Sequence, residues 1–409
     1  MAQETVRPVY DTQALPLLSY GLQFDDACAR HVRRLGCTSV YVLLSRSLAT
    51  KTDAWTRLQT ALEPNIAGSY VGIRSHTPIS QLVQVLAEIR SLPRVDCIIT
   101  LGGGSVTDAG KLVRFALANA AYDKEAIDTL WGGHSKNPNK RAHILPPTLP
   151  LIHIPTSLSG GEYQHIAGAV EDYNGASAKR TFEPGVNPTL VIQDPQLSLH
   201  TPAWLWLSSG VRAVDHCVET LCSLLSNARG DAEAERGLRE LVPGLLQCKK
   251  DGGDLHARHR CQMGVVGAMA AVSSGVPLGA SHAIGHQLGP LGVGHGETSC
   301  ILLPAVCKYN AARGANNERQ AFCRGVLLED LTVREVLTRD GAGSPDLGDV
   351  LDLLIRELGM PRTLRAVNVG RDQLDVLAEN SLQDLWIRTN AVPLTEKAEV
   401  LEILEAVVG

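Results

Sequence analysis

Residues 95–112 read Val95-Asp96-Cys97-Ile98-Ile99-Thr100-Leu101-Gly102-Gly103-Gly104-Ser105-Val106-Thr107-Asp108-Ala109-Gly110-Lys111-Leu112. The β-branched run over 95–101 predicts a strand, the three glycines a sharp turn, and Val106 onward the start of a helix. Glycine lets the backbone approach a ligand with no Cβ in the way. The unpaired N–H groups and positive dipole end of a new helix then favour a phosphate. Taken alone, the same residues also describe a tight strand-to-helix turn in which Asp108 and Lys111 form an i,i+3 ion pair.

Outward from this segment, 39–44, 149–154 and 190–192 are further strand candidates. Residues 80–92 carry the helical spacing of Leu82, Val83, Val85, Leu86 and Ile89. Strands alternating with helices predict parallel pairing in a doubly wound sheet. The loop Pro155-Thr156-Ser157-Leu158-Ser159-Gly160-Gly161-Glu162 follows the third strand. Ligands of open α/β sheets bind at the carboxyl ends of the strands, so two glycine- and hydroxyl-rich loops on that edge point to a dinucleotide. A capped helix start is the plainer account of the second loop. From about residue 202 the pattern is helical almost throughout, most clearly over 347–358 and 396–408. The change near Asp194-Pro195 divides the chain into an α/β dinucleotide-binding domain, 1–195, and an all-helical domain, 196–409.

The 409 residues are 44% apolar and 20% charged, ordinary for a globular protein. A net charge of −5 leaves no basic footprint for nucleic acid or an anionic membrane. The first ten residues lack a secretory pattern, and no apolar run reaches membrane-spanning length. The ten cysteines form no CxxC pair, which suits scattered thiols in a reducing, cytoplasmic compartment.

Two histidine spacings stand out in the second half. His282 and His286 are i,i+4 and share a helix face, with His295 beyond the glycine-rich 289–294. Arg212 and His216 form another i,i+4 pair. Spacing alone admits a polar helix face, a single catalytic histidine or a metal site. His134, His143, His153 and His165 read as ordinary polar residues, with His165 the best placed of them to line a pocket.

The run Gly-Gly-Gly-Ser-Val-Thr-Asp-Ala-Gly-Lys, 102–111, resembles the GGGSxxDxxK motif of the group III, iron-containing alcohol dehydrogenases. Ile154-Pro155-Thr156-Ser157 through Glu162, with Ile166-Ala167-Gly168, looks like the maleylacetate reductase form of their second loop. Residues 282–295 with Leu302-Leu303-Pro304, 358–365 and 389–395 fit the same branch in the same order. The resemblance covers the chain from about residue 35 onward. It implies a Rossmann-like α/β domain with a parallel sheet plus an all-α C-terminal domain, the fold shared with dehydroquinate synthase. The active site is then expected in a cleft between the two.

By that resemblance Gly103, Gly104 and Ser105 hold the pyrophosphate of NADPH or NADH, with Asp108 at a cofactor-contact position. Thr156, Ser157 and Ser159 line the nicotinamide side, and Lys179 lies near the nicotinamide ribose. Ser45 falls where the family often has Asp, removing a repulsion, and Arg46 is placed to meet a 2′-phosphate. NADPH is therefore expected to bind at least as well as NADH. The family's metal takes one Asp and three His. His216, His282 and His295 match the histidines, and His286 an additional active-site histidine. Arg212 stands at the Asp position, and Asp215 is expected to point about 100° away around the helix.

A carboxylate gives a metal charge and a hard oxygen, whereas a guanidinium offers donors only. Maleylacetate reductases also depart from the Asp and are taken to work without metal, so none is expected here. Arg212 then stabilises a developing alkoxide, binds a substrate carboxylate, or pairs with Asp215, Glu219 or Glu162. His282 or His286 is the expected proton donor. The expectation is an NAD(P)H-dependent, metal-independent reductase of a small carbonyl or oxo-acid, acting as a homodimer. A lyase, isomerase or cyclase on the same scaffold is the alternative.

Overall fold

Three strands are buried on both faces along their whole length, and they fix the centre of the first unit. These are β3 (Val40–Leu44), β5 (Cys97–Gly102) and β6 (Leu151–Pro155). A strand covered on both sides needs a near-continuous apolar run rather than alternation; the polar interruptions, Thr100 on β5 and His153 on β6, are hydrogen-bonded to each other at 2.6 Å. The computed structural model describes residues 3–131, 143–173, 178–341 and 345–409; His134 lies outside them. The chain forms two compact units, Met1–His200 and Thr201–Gly409.

The first unit adds β1 (Thr5–Pro8), β2 (Leu17–Tyr20), β4 (Ile66–Val71), β7 (Ala167–Glu171), β8 (Ala178–Phe182) and β9 (Leu190–Ile192). Its seven-stranded sheet runs β1-β2-β9-β6-β5-β3-β4, and β7-β8 form a separate hairpin. Every pairing in the large sheet is parallel except β1 with β2. Successive residues feed opposite cores, as the strand pleat requires. Leu43 and Ile98 pack with Leu112, Val113 and Phe115 on one side, while Val42, Leu44, Ile99 and Leu101 pack with Phe24, Leu58 and Leu197 on the other.

The strands expected over 39–44, 95–101, 149–154 and 190–192 are all present, with ends shifted by no more than two residues. The helix expected over 80–92 is Ile79–Ser91. Five strands among the described residues went unread: β1, β2, β4 and the hairpin pair β7 and β8. The edge pair β1 and β2 has only four residues each, and β1, Thr-Val-Arg-Pro, is polar. Strand β4 is only partly buried and contains Gly68 and Ser69, so neither alternation nor an apolar run marks it.

Lys111 ties this unit together. Its side chain is wholly buried, pairs with Asp108 Oδ1 at 2.8 Å, and donates to the carbonyls of Gly161 (2.9 Å) and Ile166. Asp108 Oδ2 accepts from the Gly168 amide at 3.1 Å. The i,i+3 pair thus exists, and it anchors the second loop to the helix Gly104–Ala118 that follows the first.

The second unit is helical, from Ala203–Cys222 to Lys397–Ala406. Helices Ala228–Lys250 and Leu255–Ser273 cross at small residues: a Cβ on Gly267 would lie 2.8 Å from the Gly237 Cα. Helix Leu347–Leu358 matches its sequence bounds. Among the described residues no helix is long and apolar enough to cross a membrane. All ten cysteines are buried free thiols.

Glu162 is buried beside this anchor. Burial raises its carboxyl from 4.5 to about 7, with Lys111 opposing and Asp108 adding to the shift. Between those values the folded chain holds a proton that the unfolded chain has lost. This contribution to stability is therefore complete below the lower value and disappears as pH rises through the upper one. The loss is on the order of 3 kcal/mol. Urea unfolding at about pH 5 and about pH 8 should show this fall, and Glu162→Gln should remove it. An equal fall in both proteins assigns the slope to other groups.

Candidate active site

In the first unit, the carboxyl ends of β3, β5 and β6 bring three loops together. The Ser45 amide donates to Leu101 O at 3.0 Å and the Thr156 amide to Gly102 O at 3.1 Å. Gly102 has φ +153°, in the region that favours glycine, and a Cβ there would sit 3.2 Å from that of Ser45. A Cβ on Gly103 would come to 3.5 Å from Ser157 Oγ, and one on Gly104 to 3.6 Å from Ser159 Oγ. Those two hydroxyls are 2.9 Å apart. The glycine turn therefore faces the serine loop across a space that any side chain would fill. No side chain caps the helix start at Gly104, which leaves its amide end to a ligand. This cradle fits a pyrophosphate.

The other expected cofactor residues lie around this cradle. Ser105 Oγ accepts from the His76 amide at 3.1 Å. Thr77 Oγ1 donates to Ser105 O, and His76 and Thr77 both have positive φ, 62° and 54°. Sequence reading gave no sign of this strained pair. Asp108 was expected at the cofactor, but both its carboxylate oxygens are engaged by Lys111 and Gly168. Lys179, on β8, passes beside Gly168, and its charge helps lower the His76 pKa, second to burial. Ser45 is half-buried, and Arg46 is exposed with its guanidinium against Gly72. His165 Nδ1 lies 3.4 Å from Asn187 Oδ1, half-buried.

In the second unit, helix Ala203–Cys222 carries Arg212, Asp215, His216 and Glu219. Glu219 accepts from the amides of Gly279 and Ser281 and pairs with His282 Nδ1, each at 2.8 Å. It thereby caps helix Ala280–Leu288, which has no side-chain cap of its own, and fixes the His282 ring. Asp215 Oδ2 accepts from Ser281 Oγ at 2.8 Å and Ser299 Oγ at 2.6 Å, and lies 3.5 Å from His282 Nδ1. Asp215 was expected to face away, and this is corrected. At 100° per residue it sits about 40° from Glu219 and about 60° from Arg212. That is the face bearing His282.

Arg212 is buried and donates from Nη1 to Ser299 Oγ at 3.2 Å. Burial lowers its pKa, against Asp215, Glu219 and Asp384. Among the described residues it makes no ion pair with Asp215 or Glu219; Ser299, which donates to Asp215 Oδ2, links it to Asp215. His216 stacks on His282 with centroids 4.6 Å apart. Burial, then the His282 and Arg212 charges, hold the His216 pKa well below its usual value. For His282, burial and Arg212 push downward, but Asp215 and Glu219 outweigh them and the net shift is upward. His286 Nδ1 lies 2.8 Å from Asp384 Oδ2, and the Trp386 ring is 5.3 Å from His286 and 5.8 Å from His282. His295 opens helix His295–Ala312 and is half-buried.

Three buried polar atoms in this cluster have no hydrogen-bond partner among the described residues: Asp215 Oδ1, His216 Nδ1 and His282 Nε2. Asp215, Glu219 and His282 also offer ligand atoms within 4.8 Å of one another, a spacing a metal could use. However, Glu219 already serves three N–H groups and Asp215 Oδ2 two hydroxyls. Arg212 occupies the corner where a further carboxylate would help a cation, so the set fits a metal poorly. Glu219, three residues after His216, was legible as a same-face partner but was read only as a possible ion-pair acceptor for Arg212. Nothing in the sequence around Asp384 and Trp386 marks them.

Residues 24–195 match the iron-containing alcohol dehydrogenase family, and residues 206–408 match the C-terminal part of the Fe-containing alcohol dehydrogenase family. The chain is 37% identical to dehydrogenase FUM7 of Gibberella moniliformis over 408 residues, 95% of each protein. It is 27% identical to a maleylacetate reductase of Rhizobium sp. over 376 residues, 91% of each. The crystal structure of maleylacetate reductase from Agrobacterium tumefaciens superposes with TM-score 0.69 at 27% identity, covering 94% of this chain and 93% of that one.

Gly103→Val should abolish dinucleotide binding without unfolding the chain, because the new side chain has room beside Ser157 only where the pyrophosphate would lie. Calorimetry with NADPH and NADH on the folded variant checks it. Unchanged affinity would place the cofactor elsewhere.

Proposed function

Since the chain belongs to the iron-containing alcohol dehydrogenase family, in its maleylacetate reductase-like branch, we propose that it reduces a small carbonyl compound or oxo-acid with NADPH or NADH and without a metal ion. The observation that carries this proposal is the Glu219–His282 pair beside Arg212, at the position where the family's carboxylate ligand is expected. Gly103, Gly104, Ser105 and the Thr156, Ser157 and Ser159 loop would hold the reduced nicotinamide cofactor, which would supply a hydride to a carbonyl carbon.

The protein's own groups then have to accommodate the negative charge that grows on the oxygen. Glu219 accepts the Nδ1–H of His282, so a second proton on the ring sits on Nε2, the buried atom without a partner among the described residues. Asp215 and Glu219 outweigh burial and Arg212, shift the His282 pKa upward and so favour that second proton. The stacked His216 stays neutral, which spares His282 a like charge at 4.6 Å. His282 Nε2 thus donates to the oxygen, a task a Lewis-acid metal otherwise performs. Arg212, held by Ser299, adds a fixed positive charge for the alkoxide or for a substrate carboxylate. The more exposed His286 is the group able to exchange protons with water.

The test is oxidation of reduced nicotinamide by the purified chain against a panel of aldehydes, ketones and oxo-acids, with elemental analysis of the same sample. Turnover should survive chelation, and transition metal should fall well below one ion per chain. About one iron or zinc per chain, with activity lost on chelation and restored by the metal, would overturn the metal-free proposal.

Cofactor preference follows from Ser45 and Arg46. The exposed Arg46 guanidinium is available to a 2′-phosphate. A charge-assisted contact of this kind is worth roughly 1.5–3 kcal/mol, or about a tenfold to hundredfold preference for NADPH. Parallel titrations with both cofactors should show this, and Arg46→Ala should erase it. An NADH preference untouched by Arg46→Ala refutes the assignment.

A further inference from the structure

We propose that Asp384 is a positioning residue that holds His286 in one tautomer and thereby sets its competence to exchange a proton. This rests on the catalytic use of His286 proposed above.

The two carboxylate oxygens of Asp384 have different tasks. Oδ1 accepts from the Trp386 amide at 3.0 Å and caps the short 3-10 turn Leu385–Arg388. Oδ2 lies 2.8 Å from His286 Nδ1. A carboxylate can only accept, so Nδ1 must carry the proton, and Nε2 becomes the acceptor whenever the ring is neutral. The same turn delivers Trp386, whose ring flanks both His286 (5.3 Å, tilted 36°) and His282 (5.8 Å, edge-on at 83°). Asp384 thus fixes the His286 ring directly and the wall behind both imidazoles through its cap. Their burial differs in the way the two roles need. The His282 side chain is fully buried, whereas 21% of the His286 side chain is exposed, and so is 15% of Asp384. A proton that leaves the cluster for product is replaced from water at the more exposed ring. A simple cap would need only one oxygen of Asp384, whereas the Oδ2 contact is spent on an imidazole.

Asp384→Asn separates the two tasks. The Asn oxygen can keep the cap while its amide donates to Nδ1, which drives the proton to Nε2 without moving the ring. Nitrogen-15 NMR of the labelled full chain should show His286 protonated at Nδ1 in the wild type when neutral, and at Nε2 in Asp384→Asn. With the carbonyl substrate, kcat should fall by about a hundredfold or more while KM and cofactor affinity change little, and Asp384→Glu should recover part of the loss. In a His286→Ala background, Asp384→Asn should cost nothing further, because its target is gone. An unchanged tautomer overturns the proposal, and so does an equal loss of kcat with and without His286, which is the mark of a structural cap. If the wild-type chain reduces no carbonyl, the functional proposal fails on its own, and the tautomer measurement still decides the role of Asp384.

Discussion

The Glu219 carboxylate is the interaction on which the second unit's chemistry depends. It sits on one helix and satisfies the opening amides of another, so the geometry of His282 is set by a helix cap rather than by local packing. Truncating one partner of such a buried charged contact typically costs about 3–5 kcal/mol, because the other groups stay buried and unpaired. Here the unpaired groups would be two amides and an imidazole. The same junction aligns Ser281 with Asp215, and through Ser299 with Arg212. Stability and site geometry therefore rest on the same few hydrogen bonds.

The first unit meets an equivalent problem with the opposite sign. Two loops must stay close at the edge of a parallel sheet while their glycines leave space for a ligand. Apolar packing cannot hold them, since the loops are small and polar. Lys111 does so from inside the helix, with one carboxylate and two carbonyls around its ammonium. Asp108 neutralises that charge and pins the start of β7 through Gly168. Its motif position therefore has a structural purpose that does not require contact with a cofactor.

What was legible in the sequence followed the strength of local signals. Near-continuous apolar, β-branched runs marked β3, β5 and β6, and Gly102-Gly103-Gly104 marked the turn between β5 and its helix, because strand burial and glycine backbone freedom act within a few residues. The hairpin β1–β2 and the edge strand β4 were missed because pairing partners, not residue pattern, make them strands. At the candidate site, Arg212, His216, His282 and His286 were legible from helical spacing. Asp384 was not, since 98 residues separate it from His286 and only the tertiary fold joins them. Asp215 was misjudged by measuring its angle from His216 alone, when Glu219 and Arg212 define the face that matters.

The Arg212 position also alters the charge balance that any cation would meet in this cluster. Asp215 is held ionised, its pKa lowered by His282 and Arg212 against the upward push of burial. Glu219 accepts three N–H groups and serves as the second carboxylate. Opposite these two carboxylates stand the Arg212 guanidinium and His282, whose pKa they shift upward against burial. A dication added here would face the Arg212 guanidinium out of water and would have to displace the proton that the carboxylates favour on His282, both unfavourable. With a carboxylate at 212 the balance reverses: three carboxylates would share the cluster, and a dication would relieve their repulsion. One residue thus changes which charge state the same two carboxylates and stacked histidines can tolerate.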